Sequence, residues 1–297
     1  MQLSVPWRRG QKKPFASLPR INWSHPLASG LVTFMYDGCG VVIDLVTGEL
    51  AKIIVSGGTA SIVGTQYGQT YFTANVGSGT YWGFNTSNSP IQNNLGTNYS
   101  FASGYVRRGA TSANYGDIFC YCDSATTTPI WIGSNATTSE VMWTLDGVNI
   151  YTGTVVPALN MFSTSGGVVT SSTTGTTYHI DAVNGFNATN RTGLSVTNHT
   201  GFVPAMYIDI EHSGGIVDGG QQCAIFYGAV WKNRVLTNAD WLNLHLDPWS
   251  LLIYPEDEIF ATLVGVSTVT PFTWSQTGDD LNFLPRGHLI REMIRHD

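Results

Sequence analysis

Short apolar runs, each closed by glycine, asparagine, serine or threonine, recur along almost the whole chain. Leu31 to Tyr36 reads as a strand ending at the turn Asp37-Gly38, and Val41 to Val46 as a second ending at Thr47-Gly48. The same pattern predicts strands over 50–55, 60–66, 70–76 and 79–84. After a turn-like stretch over 85–98 it resumes at 99–107, 115–123, 128–133, 139–145, 148–152, 159–163, 167–173 and 176–183. Asn184-Gly185 is a hairpin signal, Thr192-Gly193 a weaker turn, and strands near 193–197, 205–212 and 222–231 complete the set. Many short strands with frequent turns are the mark of an all-β sandwich or barrel. One helix interrupts the pattern near 237–246. Thr237 stands as its cap, Asp240 completes a capping box with Asp in the Glu position, and Asp247-Pro248 stops it.

Composition changes this picture at the surface. Charged residues are 11% of the chain, against ~25% in an average soluble domain. The solvent faces must therefore be largely Ser, Thr, Asn and Gln, which suits a protein that lives in an assembly. The net charge of -6 hides a basic lead: Arg8, Arg9, Lys12, Lys13 and Arg20 fall in the first twenty residues with no acid among them. Pro6, Pro14 and Pro19 give residues 1–20 an extended course. That segment reads as a packing arm, with nucleic-acid binding disfavoured. Residues 255–297 read as a C-terminal extension whose Phe283, Leu289, Arg291 and Ile294 lie in an amphipathic stretch. Trp7, Arg8, Arg9, Lys12 and Lys13 of the arm and these tail residues are the candidate assembly contacts. No apolar run approaches the ~18 residues that span a bilayer, and no apolar segment follows the basic lead, so neither membrane insertion nor signal-peptide export is expected. Cys39, Cys120, Cys122 and Cys223 have no metal spacing and read as reduced, mostly buried thiols.

Two segments carry a family likeness. Ile21-Asn22-Trp23-Ser24-His25-Pro26-Leu27-Ala28-Ser29-Gly30-Leu31-Val32, followed by the turn Asp44-Leu45-Val46-Thr47-Gly48, resembles the opening of phage and prophage proteins with a concanavalin A-like (laminin-G-like) domain. Ala224 to Trp241, with Asp247-Pro248-Trp249 after it, resembles their closing strand and short helix. The resemblance spans about 21–254. It implies a concanavalin A-like jelly-roll sandwich of two antiparallel sheets, and the setting of a phage particle or its receptor-binding apparatus. It implies no activity, because one fold carries many functions.

Chemistry is sparse. Glycosidases need two carboxylates ~5–9 Å apart, and a strand puts alternate residues on one face. Tyr207-Ile208-Asp209-Ile210-Glu211 resembles the Glu-x-Asp-x-Glu strand of glucanases of this fold, with Tyr207 where the nucleophile would stand. The segment therefore reads as a solvated or glycan-contacting strand, and no catalytic residue is assigned. Candidate glycan contacts are Trp82, Trp131, Trp143, Asp209 and Glu211. Tyr81 and Tyr151 are further strand aromatics, and in a sandwich all of these rings are more often core than platform. No cofactor is expected. Calcium would have to use scattered oxygens at Asp117, Asp123, Asp209, Glu211 and Asp218, which form no loop motif.

The expectation at this point is a non-enzymatic structural virion protein of a bacteriophage: a decoration, fibre-base, collar or tail subunit. It would assemble in the host cytoplasm as a homo-oligomer with other virion proteins, fastened by its terminal extensions. The alternative is a carbohydrate-binding module that meets a host surface glycan, and a glycan hydrolase stands third.

Overall fold

The structure, a computed structural model, describes residues 10–13, 18–38, 41–56, 60–73, 79–83, 95–111, 116–122, 130–135, 137–146, 149–196, 203–208 and 221–254. The strands in chain order are β1 (Arg20–Ile21), β2 (Leu31–Gly38), β3 (Val41–Asp44), β4 (Lys52–Ser56), β5 (Ala60–Thr65), β6 (Gly68–Thr73), β7 (Gly79–Gly83), β8 (Tyr99–Thr111) and β9 (Gly116–Cys122). They continue with β10 (Ile130–Ser134), β11 (Val141–Thr144), β12 (Ile150–Thr152), β13 (Phe162–Ser171), β14 (Thr174–Asp181), β15 (Gly185–Thr192), β16 (Val203–Ile208), β17 (Gln221–Lys232) and, after helix α1 (Asn238–Leu246), β18 (Leu252–Ile253).

They form a concanavalin A-like jelly-roll sandwich. One seven-stranded antiparallel sheet has the order β15-β14-β13-β8-β17-β2-β3, and the other β12-β11-β10-β9-β16-β7-β4. Two-stranded ladders β5-β6 and β1-β18 complete the topology. Alternation along β8 shows why the first sheet is central. Tyr99, Phe101 and Tyr105 point into the core between the sheets, where they meet Phe119, Ile130, Ile132 and Trp143. Ala102 and Val106 point the other way, into a second core with Phe34, Phe162 and Phe226. The centre of the first sheet is thus buried on both faces.

Its outer cover is α1 and the segment after it. Thr237 Oγ1 accepts from Asp240 N at 3.2 Å, and Thr237 N donates to Asp240 Oδ2 at 2.9 Å, so the capping box is closed. Trp241 stacks on Tyr178 of β14 with centroids 4.6 Å apart. Gly166 lets the two layers close. A Cβ there would stand 2.0 Å from the Phe101 carbonyl oxygen and 2.6 Å from the Trp241 ring.

Three strand expectations change. The separate runs 159–163 and 167–173 are one strand, β13, because Gly166 and Gly167 stay in its ladder to β8. Residues 193–196 are not a strand: Gly193 has φ +75° and the chain turns there, tucking Leu194 and Val196 into the inter-sheet core. β15 was not foreseen. Its sequence, GFNATNRT, carries little apolar signal, and its ladder to β14 alone makes it a strand.

The basic arm also departs from expectation where it is described. Lys13 is buried in this chain: its backbone N donates to Tyr67 O at 2.7 Å, and its Nζ donates to the carbonyls of Gln69, at 2.9 Å, and Asp37. The same ammonium lies 4.8 Å from the Tyr36 ring centre. Trp249 Nε1 donates to Gln11 O at 3.1 Å. Lys13 is therefore corrected from an assembly contact to a clamp within the fold, while Lys12 is exposed. Trp7, Arg8, Arg9, Phe283, Leu289, Arg291 and Ile294 lie outside the described residues.

Candidate functional site

The two sheets do not end together. β10 lies over β8 and β11 over β13. The strand orders then set β12 against β14 and leave β15, the last strand of the first sheet, with no strand opposite it among the described residues. The inner face of β15 is a polar shelf. Its residues follow from the register: Gly175 pairs with Arg191, Thr177 with Thr189 and His179 with Asn187. A Cβ on Gly175 would meet Leu145 and Leu194 of the inter-sheet core, so this row faces inward. Asn187 and Arg191 are half-buried and Thr189 is exposed.

Tyr151 on β12 forms the wall of the shelf. It is half-buried against the inter-sheet core, and the Arg191 guanidinium carbon lies 5.1 Å from its ring centre. Arg191 Nε donates to Thr177 Oγ1 at 3.1 Å. Two contacts thus orient the guanidinium. Burial lowers the Arg191 pKa and raises that of Tyr151, with Asp146 adding to the latter, while each of the pair favours the charged form of the other.

A buried chain of hydrogen bonds underlies the inner end of the shelf. Tyr105 OH meets Ser165 Oγ at 2.9 Å, Ser165 Oγ meets His179 Nδ1 at 2.8 Å, and His179 Nε2 meets Asp181 Oδ2 at 2.9 Å. One set of donors satisfies all of it: Tyr105 to Ser165, Ser165 to His179, His179 to Asp181. Asp181 also accepts from the backbone N–H of Ala158, Val183 and Asn184 and from Asn184 Nδ2. Burial would raise its carboxyl, but the hydrogen bonds from His179, Asn184 and Ala158 outweigh it and hold the group well below the usual carboxylate range. Ser, His and Asp side by side suggest a nucleophilic triad. Their exposures of 0%, 1% and 2% leave no approach for a substrate, and the Asp is saturated by the turn that it caps. The chain fastens β8, β13 and β14 together.

A second, open recess of about 280 Å3 lies on the outer side, lined by Gly64, Thr65, Gln66, Val106, Arg108 and Asn160. Arg108 Nη1 donates to Gly64 O at 3.3 Å, and Gln66 Nε2 donates to Asn160 O at 3.1 Å. Among the described residues, neither the shelf nor this lining contains a carboxylate.

The candidate glycan residues fare unevenly. Trp131 and Trp143 are 8% and 3% exposed, since each strand of the hairpin β10–β11 is buried along its whole length. They are corrected from sugar platforms to core side chains. Trp82 pairs with Ile53 and Met206 through its backbone, and its side chain lies outside the described residues. β16 ends at Ile208, so Asp209 and Glu211 lie outside them too. The same holds for the Asp117 side chain and for Asp123 and Asp218 among the calcium candidates. Among the described residues no three His, Cys, Asp or Glu side chains converge on a metal position, and no helix is long and apolar enough to cross a membrane. Cys120 and Cys223 are buried. Sequence reading missed Arg191 altogether. It also passed over Trp23, which is 60% exposed in the turn after β1.

No protein-family model matches the chain, and no curated protein matches it. Solved structures do. The Trypanosoma rangeli sialidase in complex with 2,3-difluorosialic acid is 12% identical with a TM-score of 0.50, the match covering 73% of this chain and 32% of that one. A mutant of the same sialidase displaying trans-sialidase activity is 14% identical with a TM-score of 0.50, over 74% and 33% of the two chains. The botulinum neurotoxin serotype D binding domain is 13% identical with a TM-score of 0.48, over 73% and 51%. The chain thus spans about a third of the sialidases and half of the toxin chain. At this identity the likeness is one of fold.

These findings correct the virion reading. The sialidase structures matched at a TM-score of 0.50 are not components of a phage particle. The described part of the basic arm fastens to its own chain. The assignments to a bacteriophage virion, to capsid decoration or tail, to virion partners and to a virion location are withdrawn.

Proposed function

We propose that the chain is a non-catalytic carbohydrate-binding module and that the shelf of β15, walled by Tyr151, is its binding surface. One observation carries the reading. An aromatic ring, an oriented guanidinium, a carboxamide (Asn187) and a hydroxyl (Thr189) share one half-open step at the rim of a rigid double-faced sheet. Sugars present apolar ring faces beside fixed hydroxyls, and an aromatic wall with a few placed polar groups matches both. The concanavalin A-like fold fixes no ligand by itself; the side chains supply the argument.

The same residues speak for binding without turnover. Glycoside hydrolysis uses a pair of carboxyl groups, and the shelf holds none among the described residues. The nearest acid on its strands, Asp181, is buried and already accepts from four residues.

A glycan array probed with the full chain and with Tyr151→Ala tests the proposal. Wild-type protein binds a defined subset of glycans, the variant loses that signal, and neither releases reducing sugar. An array blank for the wild-type chain, or a signal indifferent to Tyr151→Ala, overturns it.

A further inference from the structure

On the proposed shelf, one side chain is built for more than a neutral sugar. Arg191 carries five N–H donors in a planar fork. Nε is committed to Thr177 Oγ1 at 3.1 Å, and the guanidinium rests on Tyr151 at 5.1 Å. The terminal Nη1 and Nη2 groups make no hydrogen bond to any described residue, and no carboxylate pairs with Arg191 among those residues. Two acids near the shelf among the described residues, Asp146 and Asp181, are occupied elsewhere. Asp146 accepts from Asn149 and Ser195, and Asp181 from His179, Ala158, Val183 and Asn184. A half-buried guanidinium held by two contacts, with its fork open, has the geometry that bidentate recognition of an oxyanion requires.

We infer that Arg191 receives an anionic substituent, a carboxylate or a sulfate, on the saccharide bound at the shelf, with Thr177 as the positioning residue and Tyr151 as the stacking wall. The inference rests on the carbohydrate-binding reading and specifies its ligand class. The surroundings favour it. Burial disfavours the charge on Arg191, and an oxyanion would offset that cost. Thr189 and Asn187 lie on the same row, two and four residues from Arg191 along β15; the Thr189 hydroxyl and the Asn187 carboxamide, whose Nδ2 donates to Asn184 O at 3.0 Å, can serve the flanking sugar hydroxyls. A plain structural clamp between β12 and β15 would use the cation over Tyr151 but would not need an open fork.

Titration of the full chain with three oligosaccharides separates the possibilities: maltohexaose, which is neutral; hexagalacturonate, which carries carboxylates; and a κ-carrageenan hexasaccharide, which carries sulfates. One acidic probe is expected to bind about tenfold or more tighter than maltohexaose, the size of a charge-assisted hydrogen-bond pair. Which of the two it is identifies the anion. The preference weakens as salt rises. Arg191→Ala brings the acidic probe down to the affinity of the neutral one, and Arg191→Lys restores only part of the difference. Thr177→Val shrinks the preference while keeping the charge. Melting curves of each variant report whether it is folded.

Maltohexaose binding as tightly as both acidic probes overturns the anion assignment and leaves carbohydrate binding standing. An acidic preference unchanged in folded Arg191→Ala overturns it as well, because the charge recognition then lies elsewhere. Binding of none of the three overturns the anion assignment outright, and together with a blank array it removes the carbohydrate reading too.

Discussion

β14 and β15 are two arms of one hairpin, paired residue for residue from Thr174↔Thr192 to Asp181↔Gly185. They have equal length and one hydrogen-bond ladder, yet six of the eight residues of β14 are buried and every residue of β15 is exposed or half-exposed. Position in the layers makes the difference. β14 lies beneath α1 on one side and faces the inter-sheet core on the other; Tyr178 serves the first and His179 the second. β15 has outrun both covers. What the contrast teaches is where function can sit on such a sandwich. A strand that is covered on both faces has its side chains committed to packing. The strand beside it borrows that rigidity through the ladder and keeps its side chains for a ligand.

Residue pairs across the ladder offer ways to break this comparison. The largest effect is expected at Tyr178, which stacks on Trp241. Tyr178→Ala should cost about 3–5 kcal/mol in chemical unfolding, as for other buried aromatic truncations. A cost under about 1 kcal/mol would mean that α1 is not the cover that β14 needs.

Next comes the buried acid at the end of β14. Asp181→Asn removes a charged acceptor from a saturated site and should cost about 2–4 kcal/mol near neutral pH. The pH profile has a definite sign. The folded Asp181 carboxyl lies below its unfolded value of ~3.9, so its contribution is whole above that pH and drains as the pH falls through the folded value. His245 acts in the same direction for another reason. Burial chiefly, with the nearby His179, pushes its pKa from 6.5 down to about 4. The unfolded chain therefore takes up a proton that the folded chain refuses, and stability declines from pH 6.5 towards 4. Melting temperature should fall on acidification through both ranges. Asp181→Asn should flatten the lower range only.

The smallest effect is expected on the shelf. Thr189→Ala, opposite Thr177, should change stability by less than about 0.5 kcal/mol, as exposed substitutions do. It should nevertheless weaken glycan binding measurably by titration. A large loss of stability there would put β15 in the same structural class as β14.

How much of this was readable beforehand follows the same divide. Features specified by adjacent residues were legible. Thr237 and Asp240 announced the start of α1, and Asn184-Gly185 announced the hairpin, where Gly185 adopts φ +71°. The two-sheet sandwich was legible from strand density and from the likeness of its opening and closing segments. Features made by distant residues were not. β15 has a polar sequence because it is an edge, and polarity is what hides an edge strand from a hydrophobic pattern. Trp131 and Trp143 read more readily as core but stayed among the glycan candidates, because alternation gives two faces without saying which are covered. Arg191 meets Tyr151 across forty positions (191 − 151) and Ser165 meets His179 across fourteen. No local spacing encodes either contact.

The central claim is that a ligand sits on the open arm of this hairpin, and hydrogen exchange tests it most directly. Amide exchange of the full chain is followed by mass spectrometry with and without the tightest-binding glycan. Slowed exchange confined to residues 150–153 and 185–192, with β14 unchanged because it is already protected, is the predicted result. Protection centred elsewhere, with these two segments unaltered at saturating glycan, would contradict it.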